Sequence, residues 1–179
     1  MAMTEKRVSI PEDVEASFDG STMVVKGPKG EIRKTMKYPG IVIKKDNGEI
    51  VIGAKNPKKR QWAVLGTYAS HTKNMMQGVK EGFEYKMKVI YSHFPMSVKV
   101  EQGRISVENY LGEKIPRKTQ VVGNCEVKVK GTEITITGIN IEEVGQTAAN
   151  MEQATKVKNR DRRVFQDGIY LVERNGVEI

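Results

Sequence analysis

Apolar and polar positions alternate over several stretches of the chain, with the period of two that places one side of a strand in a core. Residues 84–91, Glu-Tyr-Lys-Met-Lys-Val-Ile-Tyr, follow this pattern. Ser92-His93-Phe94-Pro95 then breaks it, and a new alternation starts at Met96 and runs to Val100. Cys125, Val127 and Val129 alternate with charged residues, and Gly131-Thr132 leads into Glu133-Ile134-Thr135-Ile136-Thr137-Gly138. That spacing predicts a hairpin. An earlier hairpin is predicted from Ile41-Val42-Ile43, Asp46-Asn47-Gly48 and residues 49–53. Its Asn-Gly pair supplies the positive φ angles of a tight turn.

Two stretches change to helical spacing. After the first hairpin, Trp62, Leu65, Ala69 and Met76 form an apolar stripe. Asn56 is the predicted cap there, with Pro57 at the first helical position. After the second hairpin, Val144, Ala148, Met151 and Thr155 share a face. Asn140 is the predicted cap, and Glu143 sits three residues on, as in a capping box.

The order of elements repeats. Val24 to Thr35 and Ser106 to Thr119 both run from a strand through a Gly-Glu turn and end in Arg-Lys-Thr. A hairpin and then a helix come after each copy. The expected fold is α+β, with two tandem duplicated domains over residues 1–83 and 84–179. Each is an antiparallel-rich β-sheet with one helix packed on a face.

Composition narrows the function. The chain has 179 residues, 38% hydrophobic and 29% charged, enough apolar content for packed cores. Lys and Arg number 30 against 22 Asp and Glu, a net charge of +8 shared by both halves. This surplus points to a polyanion, RNA or DNA before an anionic membrane. No uncharged apolar run approaches the roughly 18 residues of a membrane helix. The start, Met1 to Arg7, contains no apolar signal-peptide core, so a cytoplasmic location is expected. One cysteine, Cys125, rules out an internal disulfide and is expected to serve as a small hydrophobe.

Catalysis, metals and cofactors find no support in the residues. The histidines are His71, inside the helix pattern, and His93, beside a proline. Neither has the acid–base partner that catalysis requires in its neighbourhood of sequence. Gly27-Pro28-Lys29-Gly30 has the G-x-x-G spacing of a KH loop, but that loop joins two helices. Both flanks here read as strands, so a basic turn is expected. Met75-Met76 reads as core filler.

The strongest signal lies beyond the second helix, in residues 156–170. Lys156, Lys158, Arg160, Arg162 and Arg163 place five cations within eight residues, opposed only by Asp161. The planar fork of arginine suits phosphate oxygens. The run leads into Phe165, an Asp167-Gly168 turn and the apolar stretch from Ile169 to Val172.

At this spacing Gln153, Val157, Arg160, Arg163, Phe165, the run from Asp167 to Leu171, and Arg174 resemble the signature of the large-subunit ribosomal protein L6 family. The resemblance is to its archaeal and eukaryotic form and extends over the whole chain. The short tails and the lack of a Lys-Gly-Lys-Gly segment look archaeal. The resemblance implies two domains of one fold and no catalytic centre. It implies direct binding to large-subunit (23S) rRNA, mainly through the second domain. The implied position is near the base of the acidic stalk and the sarcin–ricin region, where translation factors dock, among neighbouring large-subunit proteins.

On that reading Lys156, Lys158, Arg160, Arg162 and Arg163 contact phosphates, and Asn159 reaches base edges or sugar. Lys114, Arg117 and Lys118 form a second basic loop near the same surface. Phe165, Ile169 and Tyr170 anchor the run in the core, and Asp167 caps the turn or orients an arginine. Lys29, Arg33, Lys34, Lys58, Lys59 and Arg60 form a weaker patch in the first domain. The alternative is a general nucleic-acid-binding module, which would bind duplex DNA comparably.

Overall fold

A computed structural model describes residues 3–179; Met1 and Ala2, part of the charged start, lie outside the described residues. The chain divides into two compact units between Gly82 and Phe83. Phe83, grouped by sequence with the first domain, opens the first strand of the second unit and is buried there.

The first unit contains β1 (Met3–Ser9), β2 (Glu15–Asp19), β3 (Thr22–Gly27), β4 (Gly30–Thr35), β5 (Ile41–Asp46), β6 (Glu49–Lys55) and α1 (Lys59–Lys80). Its strands form two antiparallel sheets, ordered β1-β6-β5 and β2-β3-β4. Helix α1 packs on β1, β3, β4 and β6. Met23, Val25, Ile50, Ile52, Leu65 and Val79 are sealed from solvent between them.

The second unit repeats this order. It contains β7 (Phe83–Ile90), β8 (Ser97–Glu101), β9 (Arg104–Glu108), β10 (Arg117–Gln120), β11 (Glu126–Lys130), β12 (Glu133–Gly138) and α2 (Ile141–Ala154). It then adds β13 (Gly168–Arg174) and β14 (Val177–Glu178). The sheet β10-β9-β8 matches β4-β3-β2, and β11-β12-β7 matches β5-β6-β1. Strand β13 pairs antiparallel with β7 on the side that has no partner strand at β1 among the described residues. Each half is thus α+β and antiparallel, with its strands divided between two sheets rather than held in one.

Local chemistry accounts for most element ends. The β5–β6 turn uses Asn47 and Gly48 at φ 44° and 81°, the left-handed values that the sequence pair supplies. Asn140 caps α2, its Oδ1 accepting from the Glu142 N–H at 3.1 Å. Glu143 does not close the expected capping box; its carboxylate accepts from the Asn140 side chain and the Asn124 backbone N–H. Helix α1 starts later than predicted. Asn56 takes φ 44° and turns the chain, so the extended Lys58 becomes the cap residue, with its N–H donating to Gln61 Oε1 at 2.9 Å. Leu65, Ala69, Met75 and Met76 face the core as predicted, but Trp62 is half exposed because it lies in the first turn, at the edge of the covered face.

Gly27-Pro28-Lys29-Gly30 is a two-residue turn between β3 and β4, not a helix–helix loop. Gly27 is needed for contact: a Cβ there would lie 2.8 Å from the Val79 carbonyl oxygen of α1.

Candidate nucleic-acid interface

The second unit departs from the first at two connections. Between β9 and β10 the two-residue turn is replaced by residues 109–116. After α2 the chain runs irregularly through residues 156–167 before β13. These two connections carry every candidate binding residue except Arg117 and Lys118, which open β10.

Both ends of the second connection are pinned in the core. Thr155, buried at the end of α2, donates its hydroxyl to the Met151 carbonyl at 3.2 Å and accepts the Ile169 N–H at 2.9 Å. Glu152 accepts the Leu171 N–H at 2.9 Å. Ile169 is fully buried. Phe165 is half-buried, and Tyr170 is partly exposed, its hydroxyl donating to the Gln166 carbonyl at 3.0 Å. Tyr170 therefore braces the loop from outside the core, because alternation along β13 turns it away from Ile169. Asp167 is buried and orients no arginine: its carboxylate accepts from Ser92 at 3.0 Å, and its backbone carbonyl faces the Tyr110 hydroxyl at 3.4 Å.

Between these anchors Lys156, Lys158, Asn159, Arg160, Arg162 and Arg163 are all exposed. Asn159 adopts φ 57°, a left-handed conformation that asparagine tolerates. Asp161 organises the turn through Arg163 to Phe165. It accepts from the Arg163 backbone N–H at 2.9 Å and pairs with the Arg163 guanidinium at 3.0 Å. Its own carbonyl accepts from the Phe165 N–H at 2.9 Å. The Arg163 guanidinium holds the Asp161 carboxyl below the usual carboxylate range. Arg160 lies over the Phe165 ring, 4.8 Å from its centroid. An open groove of about 570 Å³ beside the loop is lined by Lys156, Arg162, Phe165, Ile169 and Tyr170.

The first connection converges on the same place. Lys114 and Lys118 are exposed, whereas Arg117 turns inward. Arg117 Nε and Nη2 donate to the two carboxylate oxygens of Glu113 at 2.8 and 2.6 Å. Its Nη1 donates to the Ala154 and Lys156 carbonyls at 2.9 and 3.2 Å, and its guanidinium carbon sits 4.0 Å from the Tyr110 ring centroid. Arg117 holds the Glu113 carboxyl below its ordinary range, and Arg160 adds to that pull. The loops around Lys114 and Lys156 are thus directly joined. The grouping of Arg117 with phosphate-contacting residues is the one assignment its geometry does not favour, since most of its donors are already committed.

Among the described residues, the side chains of Lys114, Lys118, Lys156, Lys158 and Arg162 engage no acceptor. Two apolar side chains that periodicity did not single out stand among them, Ile115 at 80% and Val164 at 73% exposure. The first-unit cations are dispersed: Lys29 is at the β3–β4 turn, Arg33 on β4 pairs with Glu31, and Lys34 lies against His71 Nδ1 at 3.3 Å. Lys58, Lys59 and Arg60 lie at the start of α1.

Among the described residues no group of three or more His, Cys, Asp or Glu could hold a metal ion. No described helix is long and apolar enough to cross a membrane. Cys125 is half-buried beside the core, and burial pushes its thiol up from its usual range.

A duplicated antiparallel α+β scaffold with a braced cationic surface has the charge to meet a polyanion. Residues 10–82 and 94–168 each match the family described as Ribosomal protein L6. Proteins named large ribosomal subunit protein uL6 are similar over nearly the whole chain. That of Archaeoglobus fulgidus is 49% identical over 95% of this chain and 89% of its own. That of Methanosarcina mazei is 51% identical over 94% and 96%, and that of Methanobrevibacter smithii 48% over 97% of each. The chain belongs to the ribosomal protein L6 family, in its archaeal form. It is a structural, non-enzymatic ribosomal component.

Proposed function

We propose that this chain is a structural constituent of the large ribosomal subunit in the cytoplasm and binds 23S rRNA through the second unit. Lys114, Lys118, Lys156, Lys158, Arg160, Arg162 and Arg163 meet phosphate oxygens, and Asn159 offers its amide to sugar or base edges. The observation that carries this reading is the braced loop at residues 156–163, whose cations stand exposed between two anchors in the core. Recognition is of shape and backbone, because an RNA duplex hides its base edges in a deep, narrow major groove. The family resemblance supports a position near the base of the acidic stalk and the sarcin–ricin region, beside neighbouring large-subunit proteins and close to docking translation factors.

The test is incorporation of a variant with Arg160, Arg162 and Arg163 all changed to Ala. It should be depleted from sedimented large subunits while its circular dichroism is unchanged. Each lost phosphate contact should also flatten the dependence of log K on log salt by about 0.7–0.9. Normal incorporation of the triple variant would sink the assignment. Equal affinity for duplex DNA and rRNA would return the general nucleic-acid module to the front.

A further inference from the structure

We propose that Arg117 is a positioning residue that locks the two basic loops into one surface and makes no phosphate contact of its own; this rests on the rRNA-binding reading above. Strand register sets which way Arg117 points. In the first unit Val25 pairs with Ile32 and Val24 with Arg33. In the second, Val107 pairs with Arg117 and Ser106 with Lys118. Both β2–β3 and β8–β9 turn over two residues, so Thr22 matches Arg104 and Val25 matches Val107. Arg117 therefore holds the place of the buried Ile32, not that of the exposed Arg33. A one-residue shift reverses the face of a strand, so the two Arg-Lys-Thr runs point opposite ways.

The donors of Arg117 are nearly all spent within the fold. Guanidinium has five N–H donors. The two on Nη1 serve the Ala154 and Lys156 carbonyls, and Nε and one on Nη2 serve Glu113. The Tyr110 ring covers one face. Helix α2 has no basic residue in its last turn, so Arg117 supplies the cation that its free carbonyls favour.

The loop between β9 and β10 needs such a brace. Leu111 adopts φ 50°, a left-handed conformation that a residue with a Cβ rarely holds without support. Support comes from buried Tyr110, from Asn109 Nδ2 donating to the Pro95 carbonyl at 3.0 Å, and from the Glu113–Arg117 pair. Arg117 thus ties this loop to the first residue of the arginine-rich segment. Ordering both loops before binding removes a cost that RNA would otherwise have to meet.

The test uses the full chain and a 23S rRNA transcript, with affinity measured across a salt series. Arg117→Lys keeps the charge but loses the fork and the stack. Both Arg117→Lys and Arg117→Ala should bind about tenfold more weakly, with the salt slope unchanged. Amide exchange should accelerate across residues 156–167 while the α2 amides stay protected. Glu113→Gln is the second probe, since it frees Arg117 and removes a negative charge beside the RNA. The latch predicts weaker binding; a phosphate-contacting Arg117 predicts stronger. Wild-type affinity in Arg117→Lys, or a slope reduced by about 0.7–0.9 in Arg117→Ala, would overturn the proposal. That outcome would leave the rRNA reading standing, whereas failure of the parent chain to prefer rRNA would remove the reading itself.

Discussion

The two units share an element order and differ in what they hang on it. Both run from a lone strand through a three-stranded sheet, a hairpin and a helix. In the first, β3 and β4 join through Pro28-Lys29, pressed against α1 by Gly27. In the second, the same junction expands to residues 109–116 and reaches the end of α2 through Arg117. The first unit ends shortly after α1. The second continues through the cationic loop and returns as β13 beside β7. Duplication kept the cores and left the connections to diverge. Loops can do so because their backbone faces water, whereas the core positions are sealed on all sides.

The helices differ in the same sense. Helix α2 carries Glu142 and Glu143 in its first turn, where negative charge meets the positive end of the macrodipole. Helix α1 has no acidic residue there and begins with Lys59 and Arg60. Its start is electrostatically unfavourable, and no phosphate-binding role is needed to describe it.

The comparison is most exposed to a pair of matched variants. Changing Arg160, Arg162 and Arg163 to Ala should lower the salt slope of rRNA binding by about two to three, while changing Lys58, Lys59 and Arg60 to Ala should leave the slope unchanged. Equal losses from the two triples would erase the functional difference between the units.

Next in size is Thr155→Val, which strands the Ile169 N–H in the core. It should cost the second unit about 1–3 kcal/mol and leave the first unit untouched. Native-state amide exchange resolved by unit would report it. Uniform loss of protection in both units would show that they unfold together.

A smaller effect concerns acid. Because Arg117 depresses the Glu113 pKa, their pairing stabilises the fold at neutral pH, fully so above the unfolded glutamate value of about 4.3. That contribution is lost as pH falls through the lowered folded value. Exchange at residues 109–116 should therefore quicken there. The smallest is Lys59→Glu, which should raise the stability of the first unit by about 0.3–1 kcal/mol in thermal melts at low salt. No gain would mean that α1 is insensitive to charge at its start.

Some of this could be read before the fold was known. Asn140, Asn47-Gly48 and the stripe Val144, Ala148, Met151, Thr155 announced their elements, because caps, tight turns and helical faces depend on near neighbours in the chain. The exposed cations of 156–163 were legible for a related reason: so dense a charge run cannot be buried. Trp62 and Asp167 were misread, and the inward turn of Arg117 was not legible. Each is defined by a partner far along the chain: Arg117 by Ala154 and Lys156, Asp167 by Ser92, Trp62 by the limit of the sheet under α1.

The sequence by itself therefore determined the duplicated α+β plan and the chain segment richest in cations, because both rest on local periodicity, turn chemistry and composition; the family was legible only through the resemblance carried by residues 153–174. The tertiary structure alone decided which basic side chains stand without an acceptor among the described residues and that Arg117 is spent on Glu113 and the carbonyls at the end of α2. That choice turns on strand register, where a shift of one residue exchanges water for core, and register is settled only when distant strands pair and a helix end arrives beside them.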